Sequence, residues 1–254
     1  MSLEFKNLIK HEFNENKILF NSELIEALEV FAQFLISENK KYNLTTILTP
    51  EDIVNKHFID SILGFEKFLD RESLKKSFQI MDIGTGAGFP GIPLLLYDQT
   101  CKDNQRIKKI HLLDSSKKKT DFLFLMKLKI EKIIDPDLIE IHNSRLEDLF
   151  FKVDCPDLYL SRATGKIDNV AKFLDKFLKN NFKYVFSQDN KEIYFLHYGG
   201  PESVVLPDNE SRLFKLNKKI KFKLNRQVKN IYKYQFSSNN YLRKNVLYSI
   251  TNQR

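Results

Sequence analysis

The run Met81-Asp82-Ile83-Gly84-Thr85-Gly86-Ala87-Gly88-Phe89-Pro90-Gly91 carries the most chemical information in this 254-residue chain. It follows an apolar, strand-like segment from Phe78 to Ile83, turns through four glycines and enters a helix expected from Pro90. Glycine admits positive φ and lets a ligand approach the main chain closely. The amides of such a turn, with a helix start behind them, suit a nucleotide-like cofactor. Two fingerprints fit the run. Gly86-x-Gly88-x-x-Gly91 matches the dinucleotide pattern, with Asp114 in the region of a ribose-binding acid. Asp82-x-Gly84-x-Gly86-x-Gly88 matches a loop whose cofactor carries no phosphate. The carboxylate discriminates between them, because Asp82 at the loop mouth would repel a pyrophosphate and attract a cation.

S-adenosylmethionine (SAM) has no phosphate and carries a sulfonium and an ammonium group, which Asp82 would meet directly or through water. SAM is therefore the expected cofactor. The second strand, His111-Leu112-Leu113-Asp114, delivers a carboxylate that could accept both hydroxyls of an adenosine ribose or cap the following helix. Ser144-Arg145-Leu146-Glu147 ends the third strand. A backbone amide near Leu146 and Glu147 could read the adenine edge; the alternative is a solvated loop acid.

The elements that must position these groups follow from periodicity. The first 70 residues read as helices: Ser22 as a cap before Leu24, Leu28, Phe31 and Leu35, and Thr49-Pro50-Glu51-Asp52 as a second helix start. From residue 78 strands and helices alternate, with strands at 78–83, 109–114, 138–142, 158–161 and 184–186. Helices are expected at 90–97, 117–130 (Phe122, Leu125 and Leu128 inward) and 170–178. Alternation of this kind predicts a doubly wound, mostly parallel α/β sheet with ligands at the strand carboxyl ends. Beyond about residue 190 the alternation stops. Residues 199–210 read as a loop, and 214–228 and 245–250 as an antiparallel pair at one sheet edge.

Composition bounds the rest. No apolar stretch reaches the ~18 residues that a membrane helix needs, and the charged N-terminus is not expected to act as a signal peptide. Two cysteines, Cys101 and Cys155, make no disulfide framework and fit a reducing cytoplasm. Five scattered histidines give no metal-ligand spacing, so no metal is expected. The net charge of +8 suits a polyanionic partner. Lys, Asn, Ile and Phe are abundant throughout, however, as an AT-rich genome would produce without selection for binding.

The ordered set of motifs resembles the RsmG/GidB family, bacterial 16S ribosomal RNA guanine-N7 methyltransferases. The set comprises Asn43-Leu44-Thr45, His57-Phe58-Ile59-Asp60-Ser61, the glycine loop with its Phe89-Pro90-Gly91-Ile92-Pro93 exit, and Leu113-Asp114-Ser115 with Lys118-Lys119. Ser144-Arg145-Leu146-Glu147 and Ser161-Arg162-Ala163 complete it. The resemblance implies a Rossmann-like SAM-dependent methyltransferase fold with a seven-stranded sheet (residues 71–254) and a helical extension over residues 1–70. It implies cofactor contacts at Asp82, Gly84, Gly86, Phe89, Asp114, Leu146, Glu147 and Arg162. RNA-facing cations would be Lys118, Lys119, Arg145 and Arg243, with Arg162, Arg145 and Lys118 at the reaction centre. The 16S rRNA of the 30S subunit would be the partner of a cytoplasmic monomer, and S-adenosylhomocysteine the product. Val185–Asn190 replaces the family's Leu-Lys-Gly segment, Thr164-Gly165-Lys166 departs from its small apolar run, and the C-terminal part is longer.

Guanine N7 has a lone pair and no proton, so its methylation requires alignment and water exclusion rather than a general base. The Asn/Asp-Pro-Pro-aromatic loop of amino-group methylation is missing after residue 161, and Cys155 has no basic neighbour to activate it. His57 and Asp60, far from the loop in sequence, read as a helix-packing or hydrogen-bonding pair without a catalytic role. Competing readings are a small-molecule SAM methyltransferase, a ribosome-binding factor without turnover, and an NAD-dependent oxidoreductase.

Overall fold

The computed structural model describes residues 2–72, 77–101, 103, 105–151, 155–162, 165–185, 192–200, 210–215, 221–235 and 242–253. The N-terminal part is helical: α1 (Ser2–Glu15), α2 (Ser22–Tyr42), and a stretch of α3 (Pro50–Asp52), a π-helical turn (Ile53–Ile59) and α4 (Asp60–Glu72). Thr49 caps α3 as its sequence predicts, accepting from Asp52 N. At α2 the cap is Asn21, not Ser22: the Asn21 side chain accepts from Leu24 N at 2.9 Å, and Ser22 is already helical. Both are good capping residues, and the chain uses the one a position earlier.

The alternating part then lays down β1 (Phe78–Ile83), α5 (Gly91–Cys101), β2 (Ile107–Asp114), α6 (Lys117–Lys129), β3 (Ile139–Asn143), β4 (Leu158–Arg162), α7 (Ile167–Asn180), α8 (Phe182–Val185) and β5 (Glu192–Gly199). Three further strands follow: β6 (Glu210–Lys215), β7 (Lys221–Gln235) and β8 (Leu242–Gln253). One sheet holds them in the order β3-β2-β1-β4-β5-β8-β7-β6. The neighbours among β1 to β5 pair in parallel, whereas β8 is antiparallel to β5, β7 to β8, and β6 to β7. The α/β doubly wound architecture is as expected. The strand count among the described residues is eight rather than seven, because the C-terminal part adds β6, β7 and β8 instead of a single pair.

The fifth strand is Glu192–Gly199, not 184–186. Phe182 and Val185 are buried within a short helical turn, and the fifth strand lies further along the chain than the sequence suggests, ending at Gly199 rather than before residue 190. On α6 the buried face is Phe122, Leu123 and Met126, while Leu125 and Leu128 are exposed. The three-residue step from Phe122 through Leu125 to Leu128 drifts off the face, since a helix repeats every 3.6 residues. Residues 187–190, 163–164 and 201–209 lie outside the described residues, and with them the altered family segments and most of the expected loop.

Two apolar layers flank the sheet. One joins β1 and β2 to α5, α6 and the N-terminal helices, with Phe34 of α2 stacked on Phe122 of α6 at 5.2 Å. The other joins Met81, Ile83 and Leu113 to α7 and α8. The C-terminal strands are tied to α7 by a buried ion pair between Arg226 and Asp175 at 2.5 Å. Strand order reverses at β1, with β2 on one side and β4 on the other, so a crevice opens at their carboxyl ends. The glycine loop enters it. Among the described residues no helix is long and apolar enough to cross a membrane.

Candidate active site

The glycine loop is held from within. Asp82 is fully buried at the end of β1, and its Oδ2 accepts from Thr85 Oγ1 at 2.7 Å and Gly91 N at 2.9 Å. A side chain at position 91 would meet that Oδ2 at 2.9 Å and Leu112 at 2.6 Å, so only glycine permits the contact. Burial pushes the Asp82 carboxyl up to about 6, against the bonds from Thr85 and Gly91. The direct encounter between Asp82 and a cofactor expected from sequence is not available, because the group faces inward. It shapes the loop and contributes its field.

Gly86 is the outward counterpart. Its φ is +61°, and a Cβ built there meets only Lys119 Nζ, at 4.0 Å, so the loop presents a shallow cradle beside the cleft. Gly86 N donates to Asp114 Oδ2 at 3.0 Å, and Ser116 N donates to Asp114 Oδ1 at 2.9 Å. Asp114 thus serves as both a turn anchor and a cavity wall, since each oxygen keeps a lone pair for a hydroxyl. Lys119 Nζ lies 3.6 Å from Asp114 Oδ2.

Two cavities meet at Gly84 and Lys119. The first, about 460 Å³, lies over the ends of β1, β2 and β3 and is lined by Ile83, Leu113, Asp114, Arg145, Leu146, Glu147, Val170 and Phe173. An acceptor-bearing carboxylate set among apolar walls fits a nucleoside, and the volume is in the usual range for small-molecule sites. The residues predicted for an adenosine, Asp114, Leu146 and Glu147, are brought together here. Arg145, proposed for the reaction centre, stands exposed at this cavity's rim instead.

The second cavity, about 520 Å³, lies across the loop and is lined by Thr45, Lys56, His57, Thr85, Phe89, Arg162, His197 and Arg243, among others. The loop's Phe89 turns into the protein. His57 lies flat against it, with centroids 3.9 Å apart and planes 5° from parallel, and Phe31 stacks at 5.0 Å. The Arg162 guanidinium sits 5.4 Å from the Phe89 ring centre. Its Nη1 donates to Lys56 O at 3.1 Å, Asp60 Oδ2 at 3.1 Å and Ser61 Oγ at 3.4 Å; its Nη2 donates to His57 Nδ1 at 3.0 Å. Arg243 reaches the same Asp60 oxygen at 2.7 Å.

A guanidinium only donates, so His57 Nδ1 accepts and the ring proton sits on Nε2, facing Thr45 Oγ1 at 3.3 Å. Burial, followed by the charges of Arg162, Arg243 and Lys56, holds His57 well below the ordinary histidine range. Thr45 Oγ1 also accepts from Ile47 N at 3.1 Å. With both lone pairs engaged, the Thr45 hydroxyl proton is left for a partner in the cavity.

Three sequence expectations change here. His57 and Asp60 belong to the site: the π-helical turn and α4 bring them against the loop and the end of β4, a proximity that no local pattern records. Arg243 is not a rim cation but a largely buried wall group balanced by Asp60. Lys118 is exposed and lines neither cavity, so of the two lysines it is Lys119 that faces the cleft. Cys155 is buried, in keeping with a structural role.

Comparison with known proteins matches residues 24–193 to the GidB family, described as rRNA small subunit methyltransferase G. Ribosomal RNA small subunit methyltransferase G of Mycoplasma capricolum subsp. capricolum is 33% identical over 180 residues, covering 70% of this chain and 70% of that relative. The protein of the same name from Aquifex aeolicus is 33% identical over 180 residues, covering 70% of this chain and 82% of the relative. That from Clostridium botulinum strain Alaska E43 is 31% identical over 186 residues, covering 72% of each. The chain therefore belongs to the GidB family, the small-subunit ribosomal RNA methyltransferases G.

Proposed function

We propose that this protein transfers a methyl group from SAM to N7 of a guanine in the 16S rRNA of the small ribosomal subunit. The observation that carries the reading is the junction of the two cavities at Gly84 and Lys119, under the glycine loop. A nucleoside held by Asp114 would reach across that junction toward Thr45, His57 and Arg162. When bound, SAM supplies an electrophilic methyl on a sulfonium. The protein's own work is then geometric. Asp114 and the amides near Leu146 hold the adenosine end, and the cradle at Gly86 lets the donor lie close to the main chain. The packed wall of Phe89, His57 and Arg162 excludes water on the acceptor side.

Alignment of a lone pair with a methyl needs no proton acceptor, and the neutral, fully bonded His57 suits such a site. Arg162 acts as a positioning residue, its donors engaged by Lys56, Asp60, Ser61 and His57. The Thr45 hydroxyl is placed to donate to an acceptor on the base edge, and a guanine offers O6 and N7. Exposed Arg145 stands at the rim of the first cavity and Lys118 on the exposed surface of α6 next to Lys119, where cations meet phosphates; a small-molecule enzyme would not need them. The same reading takes the protein as a cytoplasmic monomer, with residues 1–70 as a helical extension on a methyltransferase domain formed by residues 71–254.

The test is transfer of a labelled methyl from SAM to 30S particles, or to 16S rRNA, from cells lacking the endogenous activity, followed by mass mapping. One N7-methylguanine, with SAM affinity reduced at least about tenfold in Asp114→Asn, is the expected result. SAM binding without transfer to RNA would refute the substrate, and absence of SAM binding would refute the whole reading.

A further inference from the structure

Away from the cleft, the edge strand carries a second cluster. His111 on β2 and Glu140 on β3 are register partners, and His142 follows two residues after Glu140 on the same face. His111 Nδ1 lies 3.0 Å from His142 Nε2. The Glu140 carboxylate approaches both rings, Oε2 at 3.5 Å from His111 Nδ1 and Oε1 at 3.7 Å from His142 Nε2. Two imidazole nitrogens and a carboxylate thus converge on one point, their donor atoms all within 4.8 Å of one another.

We propose that His111, Glu140 and His142 form a binding site for one divalent transition-metal ion, Zn²⁺ by its donor set. Two imidazoles and a carboxylate, with one position open to water, is a common tetrahedral zinc arrangement. With metal–ligand bonds of about 2.1 Å, tetrahedral ligands stand roughly 3.4 Å apart, close to the spacings here. The remaining nitrogen of His111 supports the assignment. His111 Nε2 faces Gln79 Oε1 at 3.5 Å, and an acceptor there puts the ring proton on Nε2 and turns the bare Nδ1 inward. Phe151 packs edge-on against His111 at 5.1 Å and leans on His142, giving the site an apolar cover.

Lys109 competes. Its Nζ lies 3.6 Å from Glu140 Oε2, and it is half-exposed, so it can swing away when a cation arrives. The bound ion would pin β3 to β2 three residues before Asp114, stiffening the floor of the first cavity rather than entering the chemistry.

The experiment strips the full-length protein with a chelator and titrates it with Zn²⁺, then with Co²⁺, whose visible absorption reports tetrahedral coordination. The expected result is one equivalent of Zn²⁺ bound with micromolar affinity or tighter and a higher melting temperature. His142→Gln and the exposed Glu140→Gln should each weaken binding at least about tenfold. Lys109→Gln should tighten it, which a purely structural role for the cluster would not do. No binding at millimolar Zn²⁺, binding equally tight in both ligand variants, or preference for Mg²⁺ would overturn the proposal.

Discussion

The His57 imidazole lies parallel to the Phe89 ring at 3.9 Å while its Nδ1 accepts from Arg162. One side chain of the N-terminal helical part therefore sets both the exit of the glycine loop and the orientation of a guanidinium at the end of β4. His57→Leu keeps the apolar contact but removes both polar ones. Methyl transfer is expected to fall at least about tenfold in kcat/KM while SAM affinity changes less than about threefold. Equal losses in both would show that the two cavities are not separable.

Asp60 is fully buried between Arg162 and Arg243. Breaking a buried ion pair by removing one partner costs about 3–5 kcal/mol, because the opposite charge is left uncompensated. Asp60→Ala is therefore expected to lower stability by that order in a denaturant titration. A loss under about 1 kcal/mol would mean that the arginines find other partners.

Two buried groups pull the pH dependence in opposite directions. Burial holds His197 down to about 4. A depressed histidine contributes stability that is complete above its ordinary value of 6.5 and lost as pH falls toward 4, roughly 3 kcal/mol in all. Asp82, raised to about 6, does the reverse: its contribution is complete below 3.8 and lost as pH rises through 6. Between pH 4 and 6.5 His197→Gln should flatten the rise of melting temperature with pH, and Asp82→Asn should steepen it. Changes of the same sign in both variants would contradict the assignment.

Lys118 and Arg145 are exposed, so removing either should leave stability within about 0.5 kcal/mol. If they contact RNA phosphates, Lys118→Ala and Arg145→Ala should each weaken binding to 16S rRNA and reduce the logarithmic salt slope by roughly 1. An unchanged slope in both variants would remove them from the interface.

What the sequence by itself determined is local. The strand–glycine–helix run, the carboxylate at the end of the second strand and the alternation that builds a parallel sheet are written in periodicity and turn residues, which act over a few positions. The family motifs picked out Asp114, Leu146 and Glu147, which line one cavity. Near misses were also local: two adjacent caps at Asn21 and Ser22, and a three-residue step mistaken for the buried face of α6. Tertiary structure alone decided which distant groups share a space. Asp60 and Arg243 are 183 positions apart, and Arg162 and His57 are 105 apart. His111 and His142, 31 apart, meet only because β2 and β3 pair in one register. Such meetings follow from how apolar faces of whole elements bury against one another, a sum over the entire core that no single motif contains. Packing likewise turned Asp82 inward and Arg243 away from the surface, since buried charges settle where partners and hydrogen bonds offset their lost hydration.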